Sequence, residues 1–357
     1  MPRPRRQSLS PSSSSSSNGR QSSRDRNTRR REAECAVVSL SVKSLAGEDF
    51  HQHNALPAAL RDLQRDLKQA VVGKPVISSS RKAEILAADD TILETHFFPD
   101  YQGPESPAYK DVLKICRRAG KYAVGAFDEA TWRVGVVFPL LDLAIPDDGG
   151  LIVVPCTPAR VVDKNLLPSA YDNGKMVDFC LAIDPSWNDG PDIGLPDTDA
   201  DEALRRLQEL QPHRTINHTD YQPLSEKPIA LSITVKRASG NMEEAQTQLR
   251  VWQFAHWQML RRLASIDFDG HDPTTVEGLP FLPGVYIVGH QWRFSATTCD
   301  MFGSVTQWID VALGDTSSPH GIYCIVWGLR RIASYLTEDY WDWFQTRLLR
   351  LNILYRF

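Results

Sequence analysis

Two stretches of the chain alternate with a period of two, and together they restrict the fold more than any other feature. In Lys175–Asp184, Val177, Phe179, Leu181 and Ile183 point one way, and Asp178, Cys180, Ala182 and Asp184 point the other. In Pro228–Arg237, Ala230, Ser232, Thr234 and Lys236 share a face. Each predicted strand thus carries a charged residue among the small residues of that side, Asp178 on the first and Lys236 on the second. A charge on a buried strand is costly unless it is paired or working.

The surrounding pattern is helical. Leu56, Leu60, Leu63, Leu67 and Val71 recur at helical spacing, with Pro57 in the first turn and Gly73 at the end. Ala108–Ala123 repeats the period. Asp128 is placed to cap a further helix, Glu129–Leu143, bent near Pro139. Leu151–Pro155 reads as a short strand. Beyond the two alternating strands come a long aromatic helix, Glu243–Ala264, a hairpin of Val285–Val288 and Trp292–Thr298 around Gly289-His290, and a strand at Val305–Val311. Helices over Gly321–Leu336 and Asp339–Leu351 close the chain. This order predicts an α+β or α/β fold with a mixed sheet.

Charge divides the chain at residue 32. Residues 1–32 hold nine arginines against Asp25 and Glu32, a formal +7, which leaves −11 on the rest of a chain whose total is −4. Residues 1–32 also hold ten serines and almost no apolar residue; residues 1–50 read as a disordered basic tail, and 51–357 as one domain with a loop-rich insertion at 185–226. Arg29-Arg30-Arg31 and Pro4-Arg5-Arg6 fit a nuclear import signal or a nucleic-acid arm, and a plain solvated tail is the competing reading. A mitochondrial presequence needs an amphipathic helix whose apolar face is missing here. No apolar run approaches the roughly 20 residues of a membrane span, and no secretory h-region is present, so an intracellular, nuclear protein with no membrane partner is expected. The six cysteines lack metal-ligand spacing and read as buried thiols. There is no GxGxxG, P-loop, GxSxG or HExxH, which removes the common small-molecule cofactor and hydrolase classes.

Several ordered blocks resemble one family. Val177-Asp178-Phe179-Cys180, Ile216-Asn217-His218-Thr219-Asp220-Tyr221, Ile229 to Arg237, Glu244 to Trp252, Leu282-Pro283-Gly284, the neighbourhood of Gly321 and Tyr340-Trp341-Asp342-Trp343 are similar to the PD-(D/E)xK nuclease-like domain proteins of fungi. Asp128 to Trp132 with Pro139-Leu140-Leu141 looks like their helical entry. The resemblance runs over residues 54–345. It implies a restriction-endonuclease-like αβββαβ core with a mixed central sheet, flanking helices and a helical N-terminal extension. It also implies DNA as substrate and Mg²⁺, with Mn²⁺ as substitute, as the metal of phosphodiester hydrolysis. Carried over, Asp178 looks like the metal carboxylate, Lys236 the catalytic lysine, Glu129 an assisting acid, and Gln248 a residue that steadies the site.

One position departs from the pattern. Thr234 stands two residues before Lys236, where the family has Glu. A neutral hydroxyl is a weak ligand, and losing a carboxylate lowers metal affinity by at least the ~10–100-fold seen for outer-sphere losses. Glu243 or Glu244, opening the next helix, is a candidate replacement, with Glu244 taken as the metal ligand. Two functions stay open: a Mg²⁺-dependent nuclease with a degenerate motif, and an inactive nuclease-fold module that binds nucleic acid or protein. Oligomeric state is not legible. Of the remaining features, Trp252, Trp257 and His256 read as core, and His218 as a turn residue or a phosphate ligand. Asp197, Asp199 and Asp201 fail as a calcium loop because Glu202 stands where Gly belongs.

Overall fold

The computed structural model describes residues 39–45, 56–100, 104–146, 150–171, 176–186, 198–266 and 275–351. These fall in one compact unit. The arginine-rich segment and Lys175 lie outside the described residues.

Seven strands make one mixed sheet in the order β1-β7-β6-β5-β4-β3-β2. They are β1 (Leu40–Ser44), β2 (Leu151–Pro155), β3 (Phe179–Ile183), β4 (Ile229–Lys236), β5 (Leu282–Val288), β6 (Gln291–Cys299) and β7 (Val305–Asp315). The β1/β7 and β4/β5 pairs are parallel and the others antiparallel. The helices are α1 (Ala58–Val71), α2 (Lys82–Ala88), α3 (Tyr109–Val124), α4 (Glu129–Trp132), α5 (Phe138–Ala144), α6 (Thr198–Glu209), α7 (Met242–Ala264), α8 (Pro319–Tyr335) and α9 (Trp341–Phe344). The run α3–α5, β2, β3, β4, α7, β5 has the αβββαβ order, flanked by helices. No helix among the described residues is long and apolar enough to cross a membrane.

The alternating stretches do form neighbouring strands, with Phe179 opposite Ile233 and Cys180 opposite Ser232. Their small-residue faces pack on α7, where Cys180, Ala182, Ala245, Leu249 and Trp252 share a core. Trp252 Nε1 donates to Ser232 Oγ at 3.2 Å. Trp257, equally buried, donates to Thr297 Oγ1 at 3.0 Å. Small side chains on the sheet thus make room for the indoles of the helix.

Two boundaries need correction. The first strand begins at Phe179, so Asp178 sits just before it. The tail does not extend through residue 50 as expected, because Leu40–Ser44 is an edge strand parallel to β7. Five residues exposed on both faces in their second half carry too little alternation to announce a strand.

Between α4 and α5 the helix widens into a π turn, Arg133–Val137. Pro139 has no N–H to offer the Gly135 carbonyl, and Arg118 Nη1 takes that acceptor at 2.8 Å instead. The bend expected at Pro139 is therefore absorbed before it. Asp128 caps α4, its Oδ1 accepting the Thr131 N–H at 2.8 Å.

Several blocks quoted above have structural work. Tyr340 Oη donates to the Ile229 carbonyl at 2.8 Å and Trp343 Nε1 to the Glu277 carbonyl at 3.2 Å, fastening the C-terminal segment to the start of β4 and the approach to β5. Gly284 lies beneath α7, where a Cβ would meet Leu249 Cδ2 at 2.8 Å. Gly321 lets α8 approach β7, for a Cβ there would stand 2.3 Å from the Asp315 carbonyl oxygen. Gly321→Ala is expected to cost about 1–3 kcal/mol through forced overpacking against backbone. An unchanged denaturant midpoint would contradict this contact.

Candidate functional site

The site lies where β3 begins, β4 ends and α7 starts, with α4 against it. Asp178 is buried, and each of its carboxylate oxygens is engaged. Its N–H donates to the Ile233 carbonyl at 2.8 Å, the last main-chain rung between the two strands. The next inward-facing N–H, of Val235, has no carbonyl opposite it and donates to Asp178 Oδ2 at 2.7 Å. Oδ1 accepts from Arg133 Nη1 at 2.5 Å, and the same nitrogen reaches Thr157 Oγ1 at 3.3 Å. Burial raises the Asp178 pKa above the usual carboxylate value, against the lowering influence of the Val235 N–H, Arg133 and Lys236.

Lys236, also buried, lies between two acids. Its Nζ is 2.8 Å from Glu244 Oε1 and 3.9 Å from Glu129 Oε1. Glu244 is placed by the start of α7, where Asn241 Oδ1 accepts the N–H groups of Glu243 at 2.8 Å and Glu244 at 3.3 Å. Glu243 itself is exposed. Glu129 and Arg133 are four residues apart on one helical face, so α4 sends a carboxylate to Lys236 and the π turn that follows it sends a guanidinium to Asp178.

Thr234 is fully buried, and its hydroxyl donates to the Ala245 carbonyl at 3.4 Å. Gln248 Nε2 donates to the Met176 carbonyl, which holds the chain just ahead of Asp178. Gln248 therefore steadies the approach to the site rather than its charged centre.

The metal set expected of Asp178, Glu129 and Glu244 is not assembled. Asp178 faces Arg133, while the two glutamates face Lys236. No group of three or more His, Cys, Asp or Glu side chains among the described residues is arranged to hold a metal ion. The charges instead close on one another.

A family model described as the PD-(D/E)XK nuclease superfamily matches residues 81–341. The chain belongs to that superfamily. Members of the PD-(D/E)XK superfamily are generally dependent on divalent metal. No curated protein and no solved structure matches the chain.

Arg133 was not among the residues singled out from the sequence. Its signal was its place one helical turn after Glu129, just beyond the Asp128–Trp132 block. The phosphate role weighed for His218 is corrected by its burial. His218 is fully enclosed, edge-on to Trp252 at 4.2 Å and stacked on His256 at 5.1 Å. Its neighbour Asn217 makes the turn, donating to the Leu224 and Lys227 carbonyls at 2.5 and 2.9 Å and accepting the Ile229 N–H at 3.2 Å. Asp184, sharing parity with Asp178, pairs with Lys227 at the other end of β3.

Proposed function

We propose that this chain is a nucleic-acid-binding protein on the PD-(D/E)XK fold whose hydrolytic site is disabled. The observation that carries this reading is the commitment of both Asp178 oxygens to protein donors, together with a neutral Thr234 where the second carboxylate of the motif belongs. A divalent ion at Asp178 would have to displace a guanidinium and would find no adjacent acid. The arginine-rich residues 1–32 supply the phosphate-seeking charge that the acidic body lacks, and an import signal within them would place the protein in the nucleus.

The hydrolytic reading, with Mg²⁺ or Mn²⁺ on DNA, draws on one observation. Glu129 and Glu244 converge on Lys236 Nζ, so two carboxylates do stand near the lysine of the motif. On that reading Asp178→Ala and Glu244→Gln each lose activity that the natural chain has.

Incubating the purified full-length protein with supercoiled plasmid and single-stranded DNA, in Mg²⁺ or Mn²⁺, separates the two. The expected result is no cleavage above the level of Asp178→Ala. Fluorescence anisotropy on a labelled duplex is expected to show binding that weakens between 50 and 200 mM salt, by about 10³-fold or more if six or more phosphates are neutralised. Removing residues 1–32 should flatten that dependence. Cleavage that disappears in Asp178→Ala would overturn the disabled-site reading. Absence of binding at low salt would overturn the nucleic-acid assignment and leave a protein partner.

A further inference from the structure

We infer that the Arg133 guanidinium takes the charge-balancing place of a divalent cation at Asp178, so that Arg133 and Thr234 together, and not Thr234 alone, exclude metal from this site. The inference rests on the disabled-site reading and names the residue responsible. Two carboxylates and a divalent cation balance to zero. One carboxylate and one guanidinium do the same, so exchanging an acid for Thr234 while a cationic side chain enters leaves the buried charge neutral. The geometry supplies both halves. Thr234 is turned to the Ala245 carbonyl, away from any ligand role. Arg133 is held onto Asp178 Oδ1 at 2.5 Å and braced by Thr157 Oγ1, while the other oxygen is occupied by the Val235 N–H.

Burial gives the pair its effect. The Asp178 side chain is only 7% exposed and that of Arg133 21%, so the ion pair lies in a region of reduced screening. An incoming cation would have to shed water and break this pair before gaining one carboxylate. Arg133 also opens the π turn, the one place in this helical run where the backbone departs from the regular α-helical hydrogen-bond ladder. Such turns reposition side chains relative to a regular helix. Glu129, one turn earlier, is drawn to Lys236, which keeps α4 from offering Asp178 an acid in place of the guanidinium.

Calorimetric titration of Mn²⁺ into the full-length protein tests this without any demand for activity. The set is wild type, Arg133→Gln, Thr234→Glu, Arg133→Gln/Thr234→Glu, and that double variant with Asp178→Asn added. The double variant is expected to bind one Mn²⁺ at least tenfold more tightly than Thr234→Glu alone, and Asp178→Asn is expected to abolish the gain. Equal affinity in Thr234→Glu and the double variant would overturn the role of Arg133 while leaving the disabled-site reading intact. A folded double variant that binds no Mn²⁺ overturns it as well. Should the double variant not fold, the thermal midpoint of the wild type decides. It is expected to be the same in Mn²⁺ and in EDTA, and a rise in Mn²⁺ that Asp178→Asn removes would overturn both the inference and the reading beneath it.

Discussion

Lowering the pH from 7.5 to 5 is expected to reduce the thermal midpoint by about 3–6 °C through His218 and His256 alone, on the scale of about 1.5 °C per kcal/mol that an unfolding entropy of about 2 cal/mol/K per residue gives for a domain of this size. Both rings are buried against Trp252 and each other. Neither nitrogen of His218 has a hydrogen-bond partner. Burial pushes the His256 pKa down to about 3, and it pushes His218 the same way, helped by the neighbouring ring. Above pH 6.5 the rings are neutral in both folded and unfolded chains, and they make no pH-dependent contribution. Below it the unfolded chain takes up protons that the folded chain refuses, so stability falls as pH falls, continuing until the folded value is reached. At pH 5 this amounts to about 2 kcal/mol for His256, and His218 adds a loss of the same sign. Buried His96 and half-buried His320 shift in the same direction and add a background to the slope. Thermal melts of the wild type and of His218→Leu/His256→Met across this range check the assignment. The double variant should lose most of this shift, and an unchanged slope would contradict it.

Asp178→Ala is expected to destabilise the protein by about 2–4 kcal/mol, whatever it does to function, because it removes one half of a buried pair and strands a backbone donor. The Val235 N–H has only the Asp178 carboxylate at the end of the β3–β4 ladder. The Arg133 guanidinium loses its acceptor as well, although its partial exposure lets water recover some of that loss. Asp178→Asn retains an oxygen for the Val235 N–H and should cost less than Ala. Arg133→Gln in that background should cost less than in the wild type, since the two side chains act as a unit. Urea denaturation of the wild type, the three single variants and the Asp178→Asn/Arg133→Gln double variant measures this. Equal losses for Ala and Asn, with no coupling to Arg133, would contradict the arrangement.

Much of this architecture is written in local pattern. The alternation around Asp178 and Lys236 put both residues on the small-residue side, and the aromatic period of Glu243–Ala264 announced the helix that covers it. Helix and strand periods are properties of a dozen neighbouring residues, so they survive without knowledge of the fold. What the pattern could not carry was pairing across the chain. Arg133 and Asp178 are 45 residues apart, and nothing in either neighbourhood states that the two will touch. Parity predicted that Asp178 and Lys236 would face the same way but not that each would find its own partner. The edge strand at Leu40–Ser44 was hidden for a related reason, since its order derives from β7, more than 250 residues later. The register of Thr234 was legible as a departure from the motif, whereas the direction of its hydroxyl, toward Ala245, depends on where α7 packs.

The central claim is that a guanidinium, rather than a divalent ion, neutralises Asp178. A crystal of the full-length protein soaked in Mn²⁺ and measured at the manganese absorption edge tests it most directly. The expected map shows no anomalous peak within coordination distance of Asp178, with Arg133 in contact with Oδ1. A manganese peak on Asp178, with Arg133 displaced and Glu129 or Glu244 turned from Lys236 toward the ion, would contradict it.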